Sequence, residues 1–381
     1  MSVFHWIWTL GSYLVPFLFV LGLVVFFHEF GHFIVGRLCG IKVDAFSMGF
    51  GPEIAHFTDR HGTRWRLAAL PLGGYVRFHG DANGASEPDF NAVAKMPESE
   101  RAVSFFAQKV WKRAAVVAAG PLANFLLAIV IFTALFHVEG RQVLTPRIDS
   151  VVAGGRAAEA GFLKGDLVLS IDGQPIDSFT EMQRIVSASG DMPLRFVVQR
   201  DGKEVALDAT PERKDTKTPF GVTRGGVLGV AAGGAAEDWR NVTYSLPRAF
   251  VEATRETWYV IDRTGAYLGG LVVGRESAEQ LSGPIRIAEV SGEVAKAGFW
   301  PLFNLAAILS ISIGLLNLLP VPLLDGGHLL YYAFEAVRGR ALAQRWQEFG
   351  FRIGLAFVAG LMLVATYNDI VRVTRQWLNL G

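Results

Sequence analysis

Thiols are almost missing from this chain. Cys39 stands alone among 381 residues, which excludes a disulfide framework and any metal site built on thiolates. Charge is scarce too: Asp, Glu, Lys and Arg make up 19%, against roughly 25% in an ordinary soluble domain. The two signs nearly cancel, at a net charge of +1, so nothing marks the chain as a nucleic-acid binder. Internal repeats are absent. An apolar fraction of 51% also excludes disordered and low-complexity structure.

The shortage of charge is concentrated in particular stretches. Met1–Phe27, Ala114–Val138 and Ala297–Leu324 hold no Asp, Glu, Lys or Arg, and each exceeds the roughly 20 helical residues that cross a hydrocarbon layer. Ile353–Asn368 is a shorter fourth candidate, spanning if Arg352 and Arg372 snorkel to the interfaces. The first stretch reads as a span rather than a secretion signal, because a signal opens on basic residues and none precedes Arg37. Basic residues then gather from Arg37 to Arg113. The positive-inside rule places 37–113 in the cytoplasm, with 139–296 and both termini outside.

What occupies the aqueous stretches can be read from turns. Ala160–Asp166 is a turn into the apolar strand Leu167–Ile171, and Asp172-Gly173-Gln174-Pro175 is a second turn. Phe179–Ser189 is helix-like, Leu194–Arg200 alternates as a strand, and Asp201-Gly202 is a hairpin signal returning through Lys203–Leu207. This order resembles a bacterial PDZ domain, which binds an extended chain end as an added strand. Residues 214–234 read as linker plus one strand, Val227–Ala231, and Trp239–Arg263 as a basic amphipathic helix. On the inner side, Arg64–Leu70 and Val76–His79 flank Pro71-Leu72-Gly73-Gly74. These predict a β-hairpin whose tip dips into the bilayer.

The chemistry sits at the end of the first span, in His28-Glu29-Phe30-Gly31-His32. Positions four apart share a helix face, so two imidazoles meet one turn apart and can hold one Zn²⁺. Glu29 is adjacent but is not a third ligand, which suits a general base. A chance HExxH string is expected on the order of once in a hundred chains of this histidine content. Ionisable groups at the inner edge of a span are costly unless they pair or ligate. Zinc needs a third ligand at the same depth. The third span runs parallel to the first, and its first charge is Asp325, in Asn317–His328. Counted from Trp6 and Trp300, plausible outer-interface anchors, His28 and Asp325 lie about 22 and about 25 residues inward. His328 is a competing ligand. Pro320 and Pro322 break the span and free backbone groups near the metal; Asn317 then faces substrate or orients a ligand. On the second span, Gly120-Pro121-Leu122-Ala123-Asn124 offers either close helix packing or an Asn124 amide facing the substrate cleft.

Together these motifs closely resemble the site-2 protease family of intramembrane zinc proteases, and within it the bacterial regulator of sigma-E protease branch. His28, Glu29 and His32 match HExxH; Asn317, Pro320, Pro322 and Asp325 match NxxPxPxLDG; Gly120–Asn124 matches the second-span motif. Leu72–Arg77 resembles the family's membrane-reentrant β-element, including Gly73 and Gly74, and Ser282–Ala288 its segment before the third span. The resemblance implies a zinc cofactor and cleavage of single-span membrane proteins, typically an anti-sigma factor and sometimes remnant signal peptides, in the bacterial inner membrane. Close relatives often carry two PDZ domains; residues 139–238 leave room for one.

The expected fold is a polytopic α-helical membrane protein with four transmembrane helices, a membrane-associated β-hairpin element and one periplasmic PDZ-like α/β domain. Its segments are 1–36 (first span, zinc motif), 37–109 (inner β region), 110–138 (second span), 139–213 (PDZ-like), 214–296 (linker and amphipathic segment), 297–325 (third span), 326–349 (inner loop) and 350–373 (fourth span). The rival expectation is a non-enzymatic PDZ-bearing scaffold with a structural metal.

Overall fold

The computed structural model describes residues 3–81, 96–218, 221–233, 235, 238–274 and 283–377, and the chain forms two compact units. Side chains before Gly11, with His5 and Trp6 among them, and Ser282 lie outside the described set.

Helix α1 (Val3–Leu38) opens the first unit, followed by strands β1 (Val43–Thr58) and β2 (Arg64–Phe78) and helix α2 (Val110–Val138). The predicted hairpin is corrected here. The two arms of β2 pair with β1 rather than with each other: Met48 lies opposite Gly74 and Phe46 opposite Val76, while Ala55 and Phe57 face Leu67 and Trp65. Positive φ at Gly49 and Gly51 bends β1 so that it reaches both arms. Beneath the sheet, Phe33, Ile41, Val43, Phe46, Val76, Phe78, Phe105, Val116 and Tyr332 form one core. The C-terminal end of α1 is pinned to the sheet by Arg37, which pairs with Asp59. Burial alone would raise the Asp59 carboxyl pKa, but donors from Trp65, Arg37, Thr63 and His61 hold it at about 2.

The second unit carries strands β3 (Arg141–Leu144), β4 (Ile148–Val151), β5 (Leu167–Ile171) and β6 (Gln174–Pro175), then helix α3 (Phe179–Ala188). Strands β7 (Leu194–Arg200), β8 (Lys203–Ala209), β9 (Glu212–Thr218), β10 (Gly221–Val227), β11 (Val230–Ala232) and β12 (Trp239–Val242) follow. Its main sheet has the order β6-β5-β7-β8. Local chemistry explains the elements that were read from sequence. Ser178 caps α3 by accepting from Glu181 N at 3.1 Å, while the Glu181 side chain accepts from Asp177 N at 3.0 Å. Asp201 and Gly202 both adopt positive φ, closing the β7–β8 hairpin with Arg200 opposite Lys203. Asp166, buried in the turn before β5, is held by Arg200 at 2.7 and 2.8 Å.

Two boundaries differ from expectation. The stretch read as linker is structured: β9 and β10 form a hairpin, β11 pairs with β4, and Leu228 enters the same core as Ile148, Phe162 and Phe196. The domain read as ending at residue 213 therefore extends at least to Ala232; β11 overlaps the strand read at Val227–Ala231, whereas β9 and β10 lie in Lys-, Thr- and Gly-rich sequence that carries little apolar signal. Trp239–Val242 is a strand paired with β3 rather than the start of a helix.

Helix α4 (Leu246–Val272) begins behind it, with proline in its first turn. Then come α5 (Pro284–Ala297), α6 (Phe299–Asn317), α7 (Asp325–Arg338) and α8 (Gln344–Trp377). Among the described residues, four helices are long and apolar enough to cross a membrane, over Gly11–Leu38, Val110–Val138, Phe299–Asn317 and Arg345–Thr374. The last is longer than the uncharged core read from sequence, and it includes Arg352, Asp369 and Arg372. α5, which sequence reading left inside a linker, is fastened on both sides. Tyr13 of α1 donates to its Glu293 at 2.9 Å, and Asp369 of α8 accepts from the Gly283 and Arg286 amides at 3.3 and 3.0 Å.

Candidate metal centre

α1 presents His28 and His32 on one face, with their Nε2 atoms 3.3 Å apart. The third vertex comes from the other end of the chain. α6 stops at Asn317, the backbone turns through Pro320 and Pro322, and α7 restarts at Asp325. Asp325 Oδ2 lies 3.2 Å from His28 Nε2 and 3.5 Å from His32 Nε2. Leu323, just ahead, holds φ at 110°, a conformation unfavourable for a branched side chain that this loop imposes.

Donors bound to one tetrahedral zinc at about 2.0–2.1 Å sit about 3.3–3.4 Å apart, so this triangle has the size of a zinc face. The chemistry agrees with the size. Asp325 Oδ2 is buried, and no hydrogen bond of acceptable geometry reaches it. A carboxylate oxygen and two imidazole nitrogens facing one point form a donor set suited to a shared cation. Among the described residues this is the one cluster of three His, Cys, Asp or Glu donors close enough to share an ion. The residues fit zinc.

Neighbouring groups set the orientation of the rings. His32 Nδ1 lies 2.9 Å from the carbonyl of Val116 on α2, which makes Nδ1 the donor and leaves Nε2 free to ligate. Gly120 provides room for this ring, since a Cβ there would lie 2.2 Å from His32 Nε2. Asn124 is fully buried and its amide lies 3.3 Å from His28 Nδ1. It stands behind the ligand and does not line the cleft, correcting the expectation that it faces substrate. The helix face it occupies depends on the α1–α2 packing, which one sequence does not reveal.

A cavity of about 690 Å³ opens beside the three donors, lined among others by Glu29, Gly73, Gly74, Asn317 and His328. Glu29 lies close against the β2 backbone at Gly74. Gly74 permits that approach, because a Cβ there would sit 3.0 Å from the Glu29 side chain and 2.8 Å from Ser47 O. Asn317 points its amide at His28 Nε2 from 3.4 Å. Pro320 and Pro322 shape the loop without lining the cavity. Two other histidines have ordinary partners: His79 meets Asp44 at 3.2 Å, and His137 meets the Tyr244 carbonyl at 2.9 Å.

A family model described as Peptidase family M50 matches residues 16–361. The chain belongs to peptidase family M50. This is the site-2 protease family, membrane-embedded and zinc-using. A protein of Agrobacterium fabrum provisionally named a zinc metalloprotease is 48% identical over 362 residues, covering 95% of this chain and 96% of its own. Metalloprotease MmpA of Caulobacter vibrioides is 42% identical over 384 residues, covering 94% and 95%. The M50 chain is therefore a zinc-dependent protease and a multi-pass membrane protein, which sets aside the non-enzymatic scaffold.

Proposed function

We propose that this M50 protease hydrolyses a peptide bond inside the membrane-spanning segment of single-span proteins, with an anti-sigma-factor-like protein as the principal substrate and remnant signal peptides as a second class. The observation that carries the reading is the His28, His32 and Asp325 triangle, its imidazoles on the apolar helix α1 and its carboxylate just after the apolar helix α6, with Glu29 beside it on one cavity wall.

In this reading His28, His32 and Asp325 hold the zinc. When bound, the ion supplies Lewis acidity, polarising the scissile carbonyl and acidifying a water. Glu29 takes the proton from the attacking water and hands it to the leaving amine. A substrate helix hides its amides in its own hydrogen bonds, so it has to unwind first. The β2 segment at Gly73 and Gly74 borders the cavity and has β1 on one side only, so its other edge suits pairing with the unwound strand. Asn317 supplies a further amide at the same wall.

The second unit acts as a PDZ-like domain with β11 as its receiving strand. β4 covers one edge of β11, and α3 touches Gly225 and Gly226 just ahead of it. An extended chain end would add along the opposite edge. The sites lie in the bacterial inner membrane, with the zinc on the cytoplasmic side, the PDZ-like unit and both termini periplasmic, and the bilayer itself as partner.

Glu29→Gln, assayed in membranes with a tagged single-span substrate, tests the reading. Zinc content stays at the wild-type level while cleavage falls by on the order of 10²-fold or more. Undiminished cleavage would remove Glu29 from the chemistry.

A further inference from the structure

The two ligand imidazoles are served by the same helix. On α1 they stand four residues apart, and α2 runs antiparallel against them, so that Gly120 meets His32 and Asn124 meets His28. Each ring offers Nε2 to the common point and turns Nδ1 toward α2. For His32 the group at Nδ1 is a backbone carbonyl, which can only accept. For His28 it is the side chain of Asn124, whose Nδ2 lies 3.3 Å away and whose Oδ1 is buried with no partner. A ring that ligates through Nε2 carries its proton on Nδ1, so an NH₂ group facing it would set donor against donor. Oxygen and nitrogen of an amide are assigned from the hydrogen-bond network rather than seen. Turning the amide over brings Oδ1 to Nδ1–H and replaces the clash with a hydrogen bond.

We infer that Asn124 is a positioning residue for the zinc site, accepting the Nδ1–H of His28 through its side-chain oxygen and thereby fixing Nε2 toward the metal. This rests on the ligand assignment above. α6 holds the residue in place: Ser310 Oγ donates to the Asn124 backbone carbonyl at 2.9 Å, and Gly314 leaves the space its Cβ fills. The role therefore needs an acceptor at that point, and a carboxylate would supply one as well.

The test uses the detergent-solubilised full chain, stripped of metal and titrated with Zn²⁺ against a chromophoric chelator, then loaded with Co²⁺ for its ligand-field spectrum. Asn124→Leu, similar in volume and without an acceptor, weakens Zn²⁺ binding by about 10–100-fold and alters the Co²⁺ spectrum. Asn124→Asp binds at least as tightly as wild type. Wild-type affinity in Asn124→Leu overturns the role, as does tenfold weakening in Asn124→Asp. If the Leu variant fails to fold, the Asp variant decides. Loss of binding in His28→Ala and His32→Ala separates a failure here from a failure of the ligand set itself.

Discussion

At the scale of single residues, the centre is governed by close approach as much as by ligand identity. Gly120 has no side chain because the His32 ring occupies that space. Gly120→Ala therefore displaces the ring, and zinc affinity measured by competition drops by on the order of 10–100-fold. An unaltered affinity would mean that α2 does not set the ring position. His28, Glu29 and His32 were legible because their spacing has one geometric consequence on a helix. Asp325 was legible by counting inward along two parallel spans. The Asn124 location was not, since direction around a helix has no meaning until its neighbour is known.

Elements carry two further expectations. Asp369 serves two amides at the start of α5 and also meets Arg372 at 3.5 Å, while Arg372 bonds Glu289 at 2.6 Å. Asp369→Ala removes the shared acceptor and costs about 1–3 kcal/mol, read as faster amide exchange across 284–297. Unchanged exchange would show that α5 is held by its α1 contacts alone. In the second unit, burial works to raise the Asp166 carboxyl pKa, but Arg200 and the Leu163 amide hold it below the usual range. The folded value is depressed, so its stabilising effect is complete above about 3.9, the ordinary aspartate value, and fades as pH falls through the folded one. Asp166→Asn therefore speeds amide exchange of β5 and β7 at neutral pH, and the difference from wild type shrinks below about pH 4. A difference independent of pH would assign the effect to shape. Alternation and Asp-Gly turns made β5, α3, β7 and β8 readable, and β11 overlaps the strand read at Val227–Ala231, whereas β9 and β10 carry no apolar alternation and α5 hides behind a mixed run of charged and small residues.

For the whole molecule, the expectation concerns sidedness. With Cys39 replaced by serine, a cysteine at Arg101 reacts with an impermeant reagent only from the cytoplasmic face, and one at Glu204 only from the outer face. Reversed labelling would invert the topology while leaving the metal site intact. The four spans were visible in composition, because a hydrocarbon layer tolerates few charges over its thickness. The extent of the second unit was not, because two of its strands lie in a stretch that reads as linker.

The account depends on one ion shared by residues from the two ends of the chain. Zinc analysis combined with X-ray absorption on purified full-length protein tests this most directly. Wild type and Glu29→Gln should each hold one zinc with two imidazole nitrogens and a carboxylate oxygen, and Asp325→Ala should lose most of it. Full zinc in Asp325→Ala with an unchanged ligand shell would contradict the account.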